Sequence, residues 1–351
     1  MKIKHLLFAT CFALLSVSCT RENLGSRTAS EGTGTILLSV IPDGITTKAT
    51  SPDITALSHE TRIEKVDIYV FESSGLLNLH HQTDKISEAI PLSVTTGDKE
   101  IWAVLNGPAL GGIIRVSDLK EAIISLQDNQ ATPSGGTFTM AGSNTCKVTA
   151  SGTAACNITA ERFVARVRLT KVDVQLPVSY GSVTFPYIML TNVVADQRLD
   201  GGKGQGVWYN KKGRTESGAI IDGTSSAKAQ AEAVTFYAWN KHVNNNTTVD
   251  LTGEPMYFYG FDNPATQDKT DAYGAFLEEP TRLVVAATIS GRTYYYPVTI
   301  PGLARNKAYE VQLTITGLGS DDPDVIPQRG DASATVIVKS WGEGAVINET
   351  I

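Results

Sequence analysis

The sequence predicts an all-β protein with one or two short helices, and three observations carry that expectation. Val, Ile, Thr, Tyr and Gly are plentiful, whereas the chain holds 4 Met and few long runs of Ala, Leu, Glu and Lys, which suits strands and tight turns better than a helical bundle. Apolar residues recur at every second position in several stretches, the period of a half-buried strand. Those stretches are separated by Gly, Pro, Asn and Asp clusters, the residues that turn a chain. With 351 residues and 42% hydrophobic composition, the chain can fill about two domains of roughly 150 residues each. Thirty Lys and Arg against 36 Asp and Glu give a net charge of −6; with no basic run, a nucleic-acid partner is not expected.

The chain opens with a targeting segment. Lys2 and Lys4 precede an apolar run from Leu6 to Val17, which ends at Leu15-Ser16-Val17-Ser18-Cys19. This reads as a signal peptide over residues 1–18, and its apolar run is too short to span a bilayer, which takes about 20 helical residues. Small residues directly before Cys19 resemble a bacterial lipobox, with Cys19 as the lipidated residue; Ser16 stands where Leu is usual, and Thr20 after the Cys points to the outer membrane. The alternative is an ordinary signal peptide with an incidental Cys. Removal of two Lys leaves 28 basic against 36 acidic residues, a charge of −8.

Residues 20–33 are a polar linker. Thr35–Ile41 is a strand that Pro42-Asp43-Gly44 ends, and a polar stretch from Thr46 to Arg62 comes next. Val66, Ile68 and Val70 alternate with Asp67, Tyr69 and Phe71, which predicts a strand with one strongly apolar face before the turn at Ser73-Ser74-Gly75. Ile101–Leu105 reads as a strand buried on both faces. A helix is expected from Ser117, with Ser117 as its cap and Leu119, Ile123 and Leu126 at helical spacing. Residues 138–158 resemble a hairpin. In a disulfide-permissive compartment Cys146 and Cys156 either bridge its strands or remain two thiols in adjacent strands.

Phe163, Ala165, Val167 and Leu169 hold the apolar parity of the next strand, and Val172, Val174 and Leu176 take the opposite one. A phase shift at Thr170-Lys171 predicts a β-bulge. Gly201–Gly223 is loop-like. Leu283–Ile289 and Thr293–Ile300 flank Ser290-Gly291 as a tight hairpin, Tyr309–Ile315 alternates without a fault, and a last β run covers Ala332–Trp341.

Signals of chemistry are sparse. Adjacent His80 and His81 would point to opposite faces of a strand and read better as loop residues, while His59 and His242 stand isolated in polar surroundings. No zinc-protease, nucleophile-elbow or dinucleotide motif is present. Gly202-Lys203-Gly204-Gln205-Gly206 lacks the Lys-Ser/Thr and helix of a phosphate loop and reads as a flexible loop. Asp321, Asp322 and Asp324 read as a solvated turn rather than a calcium site. Neither an enzyme, a cofactor nor a metal is expected.

The order of these pieces resembles the FimA-type fimbrillins, subunits of type V pili. The resemblance rests on Ile63–Gly75 (IEKVDIYVFESSG), Arg162–Leu176 (RFVARVRLTKVDVQL) and Leu303–Asp324 (LARNKAYEVQLTITGLGSDDPD) before a β run ending in Trp341; Arg305-Asn306 ahead of Tyr309 is its most specific part. It implies two β-sandwich domains of transthyretin-like or Greek-key type, residues 49–161 and 162–351, behind a propeptide of residues 19–48. It further implies that a trypsin-like protease cuts beyond the first strand, between Lys48 and Ala49, with Arg62 as the runner-up. That cut would release the lipid together with a pro-strand whose apolar set is Ile36, Leu38 and Val40. A C-terminal strand of a second copy would then fill the groove, with Val336 and Val338 or Ile337 and Trp341 as anchors. The expected function is a structural subunit of a cell-surface fimbrium supporting adhesion. Expected partners are itself in a head-to-tail polymer, anchor and tip subunits, and the outer membrane through lipid before cleavage. A fimbrial anchor, a tip adhesin or a surface lipoprotein binding glycan or host protein is the alternative. Read without the resemblance, the first and last strands would be permanent edge strands.

Overall fold

A computed structural model describes residues 32–43, 57–84, 86, 89–211, 233–253, 256–270, 276–328, 330–340 and 344–349. Cys19, Lys48, Ala49 and Trp341 lie outside the described residues. The fold is all-β and sandwich-like, with short helices only.

Its first half contains β1 (Thr33–Pro42), β2 (Val66–Glu72), β3 (Leu77–Thr83), β4 (Ile90–Thr95), β5 (Gly97–Leu105), β6 (Ile123–Ser125), β7 (Met140–Val148) and β8 (Thr153–Arg162), with α1 (Val116–Lys120) between β5 and β6. Seven of these strands run in the order β3-β2-β5-β7-β8-β1-β4. The two ends of that path meet, since Asn78 of β3 donates to the Thr95 hydroxyl of β4 at 2.9 Å; the sheet folds back on itself around a shared core. β2 is apolar on both sides rather than one: Val66 through Phe71 are all buried, Asp67 included. Asp67 is tolerated because Lys65 lies 2.8 Å and the His80 ring 3.0 Å from its carboxylate. His80 and His81 therefore sit in β3, not in a loop, and His80 stacks on Tyr69 with ring centroids 4.4 Å apart.

The expected helix is shorter than its periodicity suggests. Ser117 lies inside α1, and the Asp118 carboxylate reaches back to the backbone N–H groups of Ile114 and Arg115 at 3.0 and 2.7 Å. β-Branched Ile123 and Ile124 leave the helix for β6, where they fit a pleated surface better than a helical turn.

Strands from Val164 onward pair among themselves, apart from one short ladder back to β6. They are β9 (Val164–Val174), β10 (Val183–Thr191), β11 (Val193–Val194), β12 (Asp196–Arg198), β13 (Trp208–Tyr209), β14 (Phe236–Val243), β15 (Thr247–Asp250) and β16 (Tyr257–Phe261), then β17 (Lys269–Thr270), β18 (Phe276–Glu278), β19 (Thr281–Ile289), β20 (Arg292–Ile300), β21 (Lys307–Ile315), β22 (Ala332–Ser340) and β23 (Gly344–Glu349). One sheet runs β14-β10-β19-β20 and another β15-β9-β21-β22-β23, with β16 also on β9. β12 pairs with β6 and ties the second half to the first. The bulge expected at Thr170 is present: against β21, Leu169 pairs with Val311 and Lys171 with Gln312, so Thr170 is the extra residue, its hydroxyl 3.1 Å from the Val311 carbonyl. Ser290 and Gly291, at φ 51° and 80°, form the tight turn between β19 and β20, both left-handed as a type I′ turn requires.

Candidate functional site: the groove around the first strand

β1 is an internal strand. It runs parallel to β8, with Leu38 opposite Cys156, and antiparallel to β4, with Ile36 opposite Leu92. Its alternation turns Ile36, Leu38 and Val40 into the core at 0–3% exposure and leaves Leu37 and Ile41 outside at 38% and 48%. Each buried side chain contributes about 1.5–3 kcal/mol of apolar burial. Gly34 lets the strand start close to the β7–β8 turn, since a Cβ there would stand 2.5 Å from the Thr149 carbonyl oxygen. Among the described strands β4 has no ladder partner except β1, although Lys99 and Asn78 hold its last hydroxyl, that of Thr95.

The far end of β1 meets a polar seat. Arg162, fully buried at the end of β8, donates from Nη1 to the Asp43 carbonyl at 2.8 Å and lies 3.4 Å from Asn306 Oδ1. Asn306 Nδ2 donates to the Asp43 carboxylate at 2.5 Å, and the Asp43 N–H donates to the Ala160 carbonyl at 2.8 Å. Asn306 holds φ 55° in the turn before β21, a conformation Asn adopts more readily than most residues. Burial pulls the Arg162 guanidinium down to about 10, against the opposing charges of Glu60 and Asp43.

Cys156 lies buried under Leu38, and burial, then the neighbouring Cys146, pushes its thiol up to about 11. Cys146 and Cys156 are free thiols in the adjacent strands β7 and β8.

The segment after the polar stretch is locked down. Glu60, 1% exposed, accepts from Arg166 Nη1 at 2.9 and 2.8 Å, from the Tyr259 hydroxyl at 2.8 Å and from the Leu57 N–H at 2.7 Å. Its neighbour His59 is buried rather than isolated, stacked on Tyr257, and burial lowers its pKa. Just beyond, Asn106 Nδ2 donates to the Arg62 carbonyl at 2.9 Å while its Oδ1 accepts from Glu64 N–H at 2.8 Å. The Arg62 carbonyl is thus held by Asn106 in the described structure.

β22 is internal as well, between β21 and β23. Val336 is fully buried, and Ile337 and Val338 are half-buried. Both expected edge strands are therefore flanked on two sides. Elsewhere, a concavity of about 700 Å³ is lined by the Gly201–Gly206 loop, Trp208, Asp262 and Arg305. Its glycine loop is tied rather than loose: the Asp196 carboxylate accepts from Val207 N–H at 2.8 Å and from Gln205 N–H, so an acid already occupies the donors a phosphate would need. Among the described residues, no group of three or more His, Cys, Asp or Glu is placed to hold a metal, and no helix is long and apolar enough to cross a membrane.

Arg162, Glu60 and Arg166 escape sequence reasoning because each reads as a polar residue on a solvated face. Only the Arg305-Asn306 pair stands out in the sequence, and the structure puts Asn306 against the end of β1.

β1 is thus held between two other strands of a β-sandwich, with its apolar face in the core. Residues 35–179 match the family model of the major fimbrial subunit protein (FimA). No protein with a curated description matches the chain. Solved structures share the fold over most of its length. A protein described as a cell-adhesion protein from Bacteroides eggerthii is 18% identical with a TM-score of 0.60, covering 89% of this chain and 96% of its own. A second, from Parabacteroides distasonis, is 16% identical with a TM-score of 0.59, covering 88% and 99%. A fimbrilin (FimA) from Porphyromonas gingivalis is 13% identical with a TM-score of 0.58, covering 91% and 99%. The FimA match covers the first part of the chain, and the cell-adhesion and fimbrilin structures share its fold over most of its length.

Proposed function

We propose that this chain is a stalk subunit of a cell-surface fimbrium that polymerises head to tail by protease-activated strand exchange and supports adhesion. The observation that carries the reading is the position of β1: inserted between β8 and β4, it fills the core with three alternate apolar side chains. Its loss leaves two strands with unpaired N–H and C=O groups and empty apolar pockets, a template for any strand that fits. A strand supplied by another copy makes a heterologous contact that does not close, and a filament results.

In this reading Cys19 carries lipid and holds the precursor, residues 19–48 being the propeptide, at the outer membrane. A trypsin-like protease then cuts between Lys48 and Ala49, in the polar stretch between β1 and the Glu60 anchor, and other fimbrial subunits join at the fibre ends. The body divides into units of residues 49–161 and 162–351, a split supported by how little pairing crosses it. Mass spectrometry of surface-sheared fibres tests this directly: Ala49 as the first residue is expected, and lipidated Cys19 in the fibre would overturn the stalk role. Lys48→Ala should leave a lipid-bound precursor that forms no fibres. A thiol reagent gives a second readout, because Cys156 should react only once β1 has left.

A further inference from the structure

A segment near the C-terminal end of the sequence repeats the pattern of the first strand. Thr33–Gly44 reads TGTILLSVIPDG and Ser333–Gly344 reads SATVIVKSWGEG. At a constant offset, Thr35 matches Thr335; Ile36, Leu37 and Leu38 match Val336, Ile337 and Val338; Asp43-Gly44 matches Glu343-Gly344. Burial keeps the same parity: Ala334 and Val336 are buried in their own sheet as Ile36 and Leu38 are in theirs.

Alternate apolar pockets alone fix a face but not a register, since a slip by two residues keeps the same face inward. A polar contact at one end removes that degeneracy. Arg162 and Asn306 provide one, taking the carbonyl and the carboxylate of Asp43. When β1 leaves, Arg162 Nη1 loses the Asp43 carbonyl, although its Nε keeps the Glu60 carbonyl at 3.3 Å, and the half-buried Asn306 loses its carboxylate partner; a lost acceptor at a buried donor is costly. An incoming strand is therefore selected for an acceptor at that point.

We propose that Arg162 and Asn306 form a binding site for the acidic end of the strand that fills the groove, and that in the polymer Glu343 of a second copy occupies it. Ser333–Gly344 then leaves its places beside β21 and β23 and enters the second copy in the direction and register of Thr33–Gly44, with Val336 and Val338 in the pockets of Ile36 and Leu38. The inference rests on the strand-exchange reading above. Ser340 in place of Val40 makes the pro-strand the better occupant, so the donor enters only after β1 has gone.

The register is read by cross-linking full-length chain that has been cut by protease and allowed to polymerise, in a background with Cys146 and Cys156 replaced by Ala. Leu37 pairs with Pro91 across β1 and β4, so Ile337→Cys with Pro91→Cys should give an oxidised ladder of covalent multimers. Thr335→Cys or Lys339→Cys with Pro91→Cys should not. Separately, Glu343→Ala should slow polymerisation at least tenfold and Glu343→Gln should restore most of the rate. In an Asn306→Gly chain, where glycine tolerates the positive φ, Glu343→Ala should cost much less. A ladder from the 335 or 339 pair, or polymerisation of Glu343→Ala at the parent rate, would overturn the site while leaving strand exchange intact. A background chain that forms no fibres after cleavage overturns strand exchange and this site with it.

Discussion

The seats of β1 and β22 differ in what holds their ends. Both strands are flanked on two sides and bury one apolar face, yet β1 terminates in a polar seat built from side chains of other elements, Arg162 and Asn306. Near the end of the described part of β22, Lys339 lies 3.3 Å from the Glu310 carboxylate of β21. A second contrast lies on the C-terminal side of β1. There the described chain resumes at Leu57, and the Glu60 carboxylate accepts from Arg166, Tyr259 and the Leu57 N–H, contacts that involve no residue of β1. The two strands are thus held by different chemistry: β1 by its apolar face and a directional end contact, β22 by its ladder and its face.

The largest effect should come from Glu60→Ala, which removes the carboxylate that pairs with the buried Arg166 cation and accepts from Tyr259, at a cost of about 3–5 kcal/mol. Urea denaturation measures that loss, and the comparison breaks if stability is unchanged. The same variant should expose the Arg62–Ile63 bond, with Ile63 newly detected as an N-terminus after proteolysis. Leu38→Ala should destabilise the uncut chain by about 2–5 kcal/mol, while Leu37→Ala, on the outer side of the same strand, should cost under about 1 kcal/mol. Equal losses would deny β1 its single inward face. Val336→Ala should cost about 2 kcal/mol, sharpening the parallel between the two strands.

A smaller effect concerns pH. Burial, then the Asp324 charge, pushes the Glu279 carboxyl up to about 7 from 4.5, and its Oε2 has no hydrogen-bond partner among the described residues. The native state holds this proton where the unfolded chain has released it, so stability falls as pH rises from about 4.5 to about 7. Glu279→Gln should flatten that decline and raise stability at pH 7 by up to about 2 kcal/mol. Melting curves at pH 5 and pH 7 that the substitution does not alter would remove the second half as the source of pH dependence.

Local pattern makes much of this fold legible in advance. The alternation of Ile36, Leu38 and Val40, the phase shift at Thr170 and the Ser290-Gly291 turn are written in neighbouring residues, and each takes its expected form. Pairing across the sheet is not legible, because nothing near Thr35 says that β8 and β4 will flank it. The periodicity of Leu119, Ile123 and Leu126 misleads for a related reason: β12 supplies a pairing edge that draws Ile123 and Ile124 out of the helix. Glu60 and Arg162 stay hidden because a charge in a polar stretch reads the same in solvent or matched in the interior. At the groove, the sequence therefore discloses the apolar face of β1 but neither its neighbours nor its end contact.

Among the described strands, β4 depends on β1 for its ladder. A cut subunit that has shed β1 therefore lacks more than a slot filler: one wall of the groove has lost its backbone pairing too. Such a molecule has not finished folding, and the missing strand must come from outside. In the strand exchange proposed above, fibre growth would be the last folding step of each subunit carried out by its neighbour, so conditions that favour the native state would also favour the next link in the chain.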